Sequence, residues 1–505
     1  MAKSILIYNA RLLDESMDTL GAVLVLNGKI RSVFQGNFSS KETVEVMAKA
    51  VLKEEGIEDS DVELIDAKGL TITPSFIDMH VHFRYPGQTQ KEDLHSGLEA
   101  AASGGYGTVV CMPNTNPVVS SMELAKQIED EAKEIGLCNL YQTVSITKDF
   151  NGEDTSHLDN LDQKYIPVIT EDGHDVLSSS VMKEGMTKAG KKGIIVACHS
   201  EDPTLAVEAR PYRQKALEIM KKQGLSAWGT NDDDIEAIDL DDFDTIFDSL
   251  TEANNILALA EDVATIRNIM LAKQADCHVH ICHVSTANAI NAIRDAKEDL
   301  LDEQQERDAD DADTAYDAFE EDYDYFPTTP NPYKHYKVTC EVTPHHLALC
   351  GTDEPYIRAL VNPPLRSEDD RIAILDALRD GTVDVISTDH APHTSEDKVK
   401  GAPGFTGIET SYGVCHTVLV LNNGFEEKKL SSLMSANPAR LLNLKKGLLR
   451  EGYDADLTLL DPDEEWIVDS SKFYSKGKAT PFEGKKLTGK VHSLFINGDK
   501  VFENK

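Results

Sequence analysis

The stretch TPSFIDMHVHFR, residues 73–84, decides how the fold of this chain is interpreted. An apolar run ends there in His80 and His82, and side chains two residues apart in a strand lie on the same face. The two imidazoles can therefore converge on one cation, while Arg84, two residues further on, can bind a negative group of a substrate. The alternative is a pair of surface histidines on an edge strand, because neutral imidazole is often only a hydrogen-bonding group.

Length and composition bound the class of protein. The chain has 505 residues, 40% of them apolar, which predicts one large domain and a smaller one. No basic segment followed by an apolar one opens the chain, and no apolar stretch is long enough to span a bilayer, so we expect a cytoplasmic protein without a membrane partner. The eight cysteines are scattered without a CxxC pair, which argues against a disulfide framework and against a thiolate zinc module.

The charge of the chain is strongly acidic. Because the formal net charge is −38, nucleic acid and anionic membranes would be repelled, and neither is expected as a partner. Residues 226–248 hold nine acidic residues and no Lys or Arg, and residues 298–324 hold fourteen acidic residues and one Arg. We interpret acidic inserts near 226–248 and 298–333 as solvated segments that are mobile or only partly helical. The alternatives are a docking surface for a basic partner and adaptation to high salt.

Both ends of the chain have the same β-rich pattern. Short β-like runs occur there with hairpin signals such as Asn27-Gly28 and Asn497-Gly498. We therefore predict one small β domain formed by residues 1–69 and 445–505, with residues 70–444 inserted between them as a second domain.

The middle of the chain alternates strand patterns with helix patterns. Eight strand candidates separated by helices predict an α/β fold, a closed parallel (β/α)8 TIM-like barrel. The candidates are residues 70–77, 107–112, 139–146, 165–170, 193–198, 277–282, 338–342 and 383–387. An open doubly wound sheet is the alternative, but no GxGxxG or GxxxxGK[ST] motif follows a strand, so nothing favours a nucleotide site.

Polar side chains follow most of these strands, at the end of a barrel where functional residues lie. The nitrogen and oxygen ligands found there are His80, His82, Asp172, His199, His283 and Asp389. Four histidines and two carboxylates without a thiolate suit zinc or another borderline divalent ion, and the set is large enough for two ions.

The two carboxylates could have different roles. Asp172 could bridge two ions with one oxygen on each, and water held between such ions becomes a nucleophile at neutral pH. Asp389 could accept the proton of that water and deliver it to a leaving nitrogen. Taken singly, His199 and His283 would more often be buried hydrogen-bonded histidines and Asp172 a turn residue. The prediction of a metal site therefore depends on their joint placement.

Further groups suit an anionic ligand that carries an amide. Arg84 can bind a carboxylate in a bidentate manner. Asn114 and Asn362 can donate hydrogen bonds through their amides, and His393 can add another. These side chains predict a substrate-binding set beside the metal ligands.

Together these residues resemble the amidohydrolase superfamily and, within it, the dihydroorotases that lack a carbamylated lysine. The matching segments are FIDMHVHFR at 76–84, MPNT at 112–115, EDG at 171–173, HSED at 199–202, HVST at 283–286, VNPPLR at 361–366 and STDHAPH at 387–393. The similarity extends from about residue 5 to about residue 500 and is interrupted by the two acidic inserts. In the segment at 171–173 the family often has paired aspartates; we assign the ligand to Asp172, with Glu171 as the alternative.

The resemblance implies a Zn2+ enzyme, with one or two ions, that interconverts N-carbamoyl-L-aspartate and L-dihydroorotate in pyrimidine synthesis. It implies the same six metal ligands, with Asp389 also as the catalytic general acid and base. The implied substrate ligands are Arg84, Asn114, Asn362 and His393. The expected partner is therefore a small anionic substrate, and the chain could also form a homo-oligomer.

Two other functions are alternatives. A hydantoinase or allantoinase would use the same metal chemistry on a ring without the carboxylate, and Arg84 with Asn114 and His393 argues against it. A metal-free homologue that serves as a structural partner of another pyrimidine enzyme should have lost some of the six ligands, and none is missing.

Overall fold

The computed structural model describes residues 4–54, 62–223, 239–312, 335–351 and 360–504. Residues 224–238 and 313–334, which hold much of the two predicted acidic inserts, lie outside the described residues. The described flanks of the inserts, residues 240–248 and 298–312, are helical.

The described chain contains seventeen strands and thirteen α-helices, some of them a single turn long. The strands are β1 (Ser4–Leu13), β2 (Asp18–Leu26), β3 (Lys29–Gln35), β4 (Val62–Asp66), β5 (Thr71–Pro74), β6 (Phe76–Val81), β7 (Tyr106–Cys111), β8 (Asn139–Gln142), β9 (Val144–Ser145), β10 (Val168–Thr170), β11 (Ile195–Cys198), β12 (His278–Ile281), β13 (Lys337–Val342), β14 (Val385–Ile386), β15 (Leu457–Ile467), β16 (Lys486–Ile496) and β17 (Asp499–Glu503). The helices are α1 (Lys41–Glu54), α2 (Leu94–Ser103), α3 (Met122–Ile135), α4 (Ser179–Gly190), α5 (Pro203–Lys222), α6 (Leu240–Ala275), α7 (Ala287–Ala312), α8 (Pro344–Ala348), α9 (Glu368–Asp380), α10 (Ser395–Val399), α11 (Ser411–Cys415), α12 (Glu427–Ser431) and α13 (Asn437–Leu441).

The two ends of the chain form one sheet, in the order β17-β16-β15-β5-β1-β2-β3, with β4 also paired to β1. The side chains of β1 alternate between two cores, as the two-residue period of a strand requires. Ile5 and Ile7 pack in a cluster that includes Phe495 from β16, whereas Leu6 packs in a cluster with Val44 of α1. The prediction of a small β-rich domain formed by both chain ends is confirmed.

The barrel is formed by β6 to β14, all of which pair in parallel. One sheet has the order β6-β7-β8 and the other β14-β13-β12-β11-β10-β9, and the chain between β8 and β9 joins them. A parallel bridge between Val81 and His390 connects the first strand to the segment after the last one. The predicted (β/α)8 barrel is therefore confirmed, with β8 and β9 as two parts of one predicted strand.

The predicted strand at 70–77 is in fact two strands. β5 pairs with β1 and β15 in the terminal sheet, whereas β6 pairs with β7 in the barrel. Between them, the backbone N–H of Ser75 donates to the carbonyl of Asp456 over 2.9 Å. A continuous β pattern does not reveal which distant strands each half pairs with, so the change of sheet has no local signal.

Helices cover the barrel in the way that their sequence patterns predict. In α3, Ala125, Ile128 and Ala132 are buried on one face, which is the spacing of an amphipathic helix. Ser121 accepts a hydrogen bond from the backbone N–H of Leu124 at the start of this helix. Among the residues described, none of the helices combines the length and the apolar character that crossing a bilayer requires.

Candidate active site

A cavity of about 230 Å3 opens where the barrel strands end. Its lining consists of His82, Arg84, Asn114, Asp172, Gly173, His199, His283, Asn362, Asp389, Ala391, His393, Pro403 and Gly404. Nine of the ten predicted site residues are in this set, and the tenth, His80, is fully buried beneath it. A larger cavity of about 670 Å3, lined by Tyr141, Lys164 and Lys192 among others, contains none of the predicted ligands. The barrel therefore brings the predicted residues to one place.

The first group of potential ligands consists of His80, His82 and Asp172. Nε2 of His80 lies 3.2 Å from Oδ1 of Asp172, and Nε2 of His82 lies 3.4 Å from Oδ2 of the same carboxylate. His80 and His82 are in and directly after β6, so the strand geometry that the sequence suggested does direct both imidazoles to one side.

The second group consists of Asp172, His199 and His283. Nδ1 of His199 lies 2.8 Å from Nε2 of His283 and 3.5 Å from Oδ1 of Asp172. These residues follow β10, β11 and β12, which are neighbours in the barrel. Asp172 thus belongs to both groups, which is the geometry of a carboxylate that could bridge two cations.

Asp389 completes the cluster from the segment after β14. Its Oδ1 lies 3.1 Å from Nε2 of His82 and 3.5 Å from Nε2 of His80. Three site residues at strand ends have a left-handed backbone: φ is 55° at Arg84, 35° at His283 and 47° at Asp389. Non-glycine residues rarely adopt this conformation, and it is concentrated at functional sites because it carries strain.

Two buried atoms in the first group lack a hydrogen-bond partner, and this fits a cation. Nε2 of His80 and Oδ1 of Asp172 are both buried and without such a partner, although they lie 3.2 Å apart. Buried polar atoms are normally satisfied, so a bound ion would supply the partner that each lacks. Imidazole nitrogens and carboxylate oxygens are also the donors that zinc and similar ions prefer.

The charges of the cluster keep its two carboxylates ionised and the imidazole of His283 neutral. Burial would raise the pKa of Asp172, but the imidazoles of His80 and His82 outweigh it and hold that pKa well below its usual range. Burial would also raise the pKa of Asp389, but His80 and His82 outweigh it and lower that pKa. Burial and the nearby imidazoles of His199 and His80 lower the pKa of His283 to about 3. Ligands must be ionised carboxylates or neutral imidazoles, so the states of these three groups suit a cation. Burial would lower the pKa values of His80 and His199, but Asp172 and other nearby carboxylates raise the first well above its usual range and the second to about 9. A cation that binds these two imidazoles would therefore displace a proton from each.

The structure places Asp172, and not Glu171, in the cluster. Glu171 accepts hydrogen bonds from the backbone N–H of Thr147, over 2.8 Å, and from the hydroxyl of the same residue. Its carboxylate is therefore occupied in the adjacent loop.

Arg84 and His393 form one wall of the cavity. Nη2 of Arg84 donates to Nε2 of His393 over 3.2 Å, and Nε of Arg84 donates to the carbonyl of Pro392. Burial, together with the positive charge of Arg84, lowers the pKa of His393 to about 2. The wall therefore presents one cation beside a neutral imidazole, which suits an anionic ligand.

The two predicted amide donors contact metal-site residues directly. The side-chain oxygen Oδ1 of Asn114 accepts from Nδ1 of His82 over 3.0 Å, and its side-chain Nδ2 donates to Oδ2 of Asp172 over 3.2 Å. The amide nitrogen of Asn362 lies 3.4 Å from Nε2 of His199 and donates to Glu201 over 2.8 Å. Both side chains line the cavity, but their present contacts also orient neighbouring groups.

Arg213 holds the segment that carries Asn362. Its Nη2 donates to the carbonyl of Val361 over 2.7 Å, and its Nη1 donates to Oδ1 of Asn362 over 3.4 Å. Arg213 could not be predicted from the sequence, because its place in α5 gives no local sign of a role.

Lys398 connects two loops at the rim of the cavity. Although it is only 2% exposed, its Nζ donates to the carbonyls of Leu360, Ala402 and Gly404 over 3.1, 2.6 and 2.7 Å. Gly404 lines the cavity and Leu360 lies two residues before Asn362. Lys398 was not predicted from the sequence either.

Glu341 and His280 lie beneath the cluster and were also missed. Glu341 in β13 is fully buried and contacts both His80 and His280. An acidic residue within a strand that is otherwise apolar or neutral, VTCEV at 338–342, was a signal that could have identified it.

Comparison with known sequences gives a consistent result over almost the whole chain. A model of the amidohydrolase family matches residues 71–501. A dihydroorotase of Clostridium botulinum is 34% identical over 495 residues, which cover 98% of each chain. A dihydroorotase of Bacillus subtilis is 32% identical over 446 residues, or 87% of this chain and 89% of the relative.

Comparison with solved structures supports the same fold. The L-hydantoinase (dihydropyrimidinase) of Arthrobacter aurescens matches with a TM-score of 0.75 at 22% identity, covering 100% of this chain and 96% of that one. The dihydropyrimidinase of Brevibacillus agri matches with a TM-score of 0.72 at 20% identity, covering 99% of this chain and 95% of that one.

Since the family model covers most of the chain and full-length relatives share about a third of its residues, this chain belongs to the amidohydrolase family and groups within it with the dihydroorotases.

Proposed function

We propose that the protein is a metal-dependent dihydroorotase that interconverts L-dihydroorotate and N-carbamoyl-L-aspartate in pyrimidine synthesis. The observation that carries the proposal is the cavity in which five of the six potential nitrogen and oxygen ligands lie beside Arg84 and His393, with the sixth, His80, buried beneath it. The near-full-length similarity to dihydroorotases of several bacteria supports the choice of substrate.

Zinc is the proposed metal, as one or two ions. His80, His82 and Asp389 would hold one ion, His199 and His283 the other, and Asp172 would bridge them. A divalent cation bound there would polarise the ring amide carbonyl and make water a nucleophile at neutral pH. The donor set supports this assignment because it contains imidazoles and carboxylates and no thiolate.

The residues of the chain would orient the substrate and move a proton. Arg84, with His393 beside it, would bind the substrate carboxylate through its guanidinium. Asn114 and Asn362 would fix the ring by hydrogen bonds to its amide groups. Asp389, ionised in the free site, would take the proton of the attacking water and return it to the ring nitrogen as the carbon–nitrogen bond breaks. The reverse sequence closes the ring with release of water.

Arg84 favours a ring that carries a carboxylate. A hydantoinase acts on cyclic amides without this group, and a buried guanidinium in the cavity wall would then face no anion. The solved structures named as a hydantoinase and a dihydropyrimidinase share less than a quarter of their residues with this chain, so they support only the fold.

The test combines two measurements on one purified sample. Elemental analysis should find one or two divalent ions for each chain, and L-dihydroorotate should be turned over in an absorbance assay. Metal without turnover would point to another cyclic amide as substrate, and absence of both would overturn the proposal.

Asp389→Ala tests the proton transfer. The variant should lose turnover and keep the fold, because the side chain that moves the proton is removed without filling or emptying the hydrophobic core. Asp376→Ala is the matched control, since Asp376 is an exposed carboxylate on α9 that forms an ion pair with Arg379. Activity like that of the wild type in Asp389→Ala would contradict the mechanism.

A further inference from the structure

Glu341 is a fully buried carboxylate inside the barrel, with 0% exposure. Removing a carboxylate from water is costly unless strong hydrogen bonds replace its hydration. The proposed reaction assigns no role to this side chain. Its contacts therefore indicate what it does.

Both oxygens of Glu341 contact imidazoles. Oε1 accepts from Nδ1 of His80 over 2.7 Å, and Oε2 accepts from Nε2 of His280 over 3.2 Å. His80 belongs to β6 and Glu341 to β13, which are not neighbours in the barrel. The carboxylate thus crosses the barrel interior to reach a proposed metal ligand.

The network behind Glu341 is consistent in the direction of its hydrogen bonds. Nε2 of His278 lies 2.8 Å from the hydroxyl of Thr339, and that hydroxyl lies 2.9 Å from Nδ1 of His280. If His278 donates to Thr339 and Thr339 donates to His280, then Nε2 of His280 carries the proton and donates to Glu341. Every donor in this chain of hydrogen bonds therefore points toward the carboxylate, and no buried side-chain atom of Thr339, His280 or Glu341 lacks a partner.

The network also determines which nitrogen of His80 is available. When Nδ1 carries a hydrogen and donates it to Glu341, Nε2 has a free lone pair. That lone pair points into the cluster, where Nε2 lies 3.2 Å from Asp172 and 3.5 Å from Asp389. A carboxylate in this position holds the ring of a metal-binding histidine and makes it a better donor.

We propose that Glu341 is a positioning residue of the metal centre, which fixes His80 with Nε2 toward the ion and is itself held in place by His280. The proposal rests on the metal site of the proposed function but not on the identity of the substrate. Because His80 belongs to only one of the two ligand groups, Glu341 should affect one ion and spare the other.

The experiment measures metal affinity and not activity. Metal-stripped wild type and Glu341→Gln are titrated with Zn2+ against a chromophoric chelator. Loss of an outer partner of a ligand typically weakens binding about 10- to 100-fold. We expect a loss of this size for one ion, with the affinity for the other ion unchanged. If the wild type binds a single ion, the same loss is expected for that ion.

Two control variants separate positioning from general disturbance. Glu409→Gln makes the same carboxylate-to-amide change at a site whose partners are Ser103, Tyr474 and Ser475, so it should retain the affinity of the wild type within about threefold. Cys282→Ser addresses another arrangement, because His80, Cys282 and Glu341 also form a group that could hold an ion. A loss of affinity in Cys282→Ser comparable to that in Glu341→Gln would overturn the proposal in favour of that site.

The outcomes distinguish this proposal from the proposed function. If the wild type itself binds no metal, the metal-dependent function fails. If the wild type binds metal and Glu341→Gln binds it equally well, the positioning role fails and the function is unaffected. Should Glu341→Gln not fold, His280→Gln decides in its place: a several-fold loss for one ion is expected, and unchanged affinity would overturn the proposal.

Discussion

At the scale of single residues, Asp172 connects the two ligand groups. Its Oδ1 lies 3.2 Å from His80 and 3.5 Å from His199, and its Oδ2 lies 3.4 Å from His82. No other residue of the described chain belongs to both groups. Loss of this one carboxylate should therefore have a wider effect than loss of any single histidine.

Asp172→Ala should weaken the binding of every ion at the site, whereas His82→Ala should weaken the binding of only one ion. We expect a loss of more than about 100-fold, the upper end of what removal of an outer partner costs. Elemental analysis after dialysis, followed by titration against a chelator, measures both effects.

Glu171→Gln is the matched control for this prediction. Glu171 is the adjacent carboxylate and is bonded to Thr147, so the variant should retain its metal. Retention of metal by Asp172→Ala together with its loss from Glu171→Gln would instead assign the ligand to Glu171.

At the scale of elements, the loop after α10 forms the outer wall of the cavity. Pro403 and Gly404 line it, and the N–H of Gly404 donates to the carbonyl of Leu360 over 2.8 Å. Gly404 has a φ of 132°, and an added Cβ would lie 2.7 Å from the carbonyl oxygen of Ala391. A side chain at this position would therefore have to move the wall.

Gly404→Ala should raise the KM for L-dihydroorotate about tenfold, with a smaller effect on kcat. Overpacking costs about 1–3 kcal/mol, and the displaced wall would alter substrate contacts more than the metal ligands. Steady-state kinetics in the hydrolytic direction measure both constants.

Gly484→Ala is the control for backbone strain. Gly484 also has a positive φ, 71°, but an added Cβ would have nothing within 4 Å. The control should lose some stability and keep its KM. Equal KM values for Gly404→Ala and the wild type would show that the wall does not contact the substrate.

At the scale of the whole molecule, Glu409 connects the barrel to the C-terminal part of the chain. Its carboxylate accepts from the backbone N–H groups of Tyr474 and Ser475 over 2.9 and 3.0 Å, and from the hydroxyl of Ser103 in α2 over 3.0 Å. Burial outweighs these hydrogen bonds and raises the pKa of Glu409 to about 7.

This shift should make stability depend on pH. Because the folded state holds the proton of Glu409 more tightly than the unfolded state, its contribution is complete below about pH 4.5 and is lost as the pH rises through about 7. Each pKa unit corresponds to about 1.4 kcal/mol. Because Glu409 is partly exposed to solvent, we reduce the value that follows from the pKa shift. The contribution of Glu409 to the free energy of unfolding should then change by roughly 2 kcal/mol.

Glu409→Gln removes this titration and tests the prediction. The difference in unfolding free energy between wild type and variant should change by roughly 2 kcal/mol between pH 4.5 and 7.5, with the wild type losing relative stability as the pH rises. Urea unfolding of both proteins, metal-free and at one ionic strength, measures it. Parallel pH profiles for the two proteins would contradict the prediction.

The sequence by itself determined the barrel, the small sheet from the chain ends and the residues that meet in the cavity. Strand and helix periods are local, and a parallel barrel brings the ends of its strands to one rim. Residues that follow different strands, such as His82, His199 and Asp389, are therefore expected to meet even though they are far apart in the chain.

Only the tertiary structure decided how these residues contact each other. The sharing of Asp172 by both ligand groups, the division of residues 70–77 between two sheets and the contact of Glu341 with His80 depend on strand pairing and side-chain orientation. His80 and Glu341 are 261 residues apart and lie on strands that do not pair. No local pattern encodes such a contact, because long-range packing selects the rotamers and partners of buried polar groups.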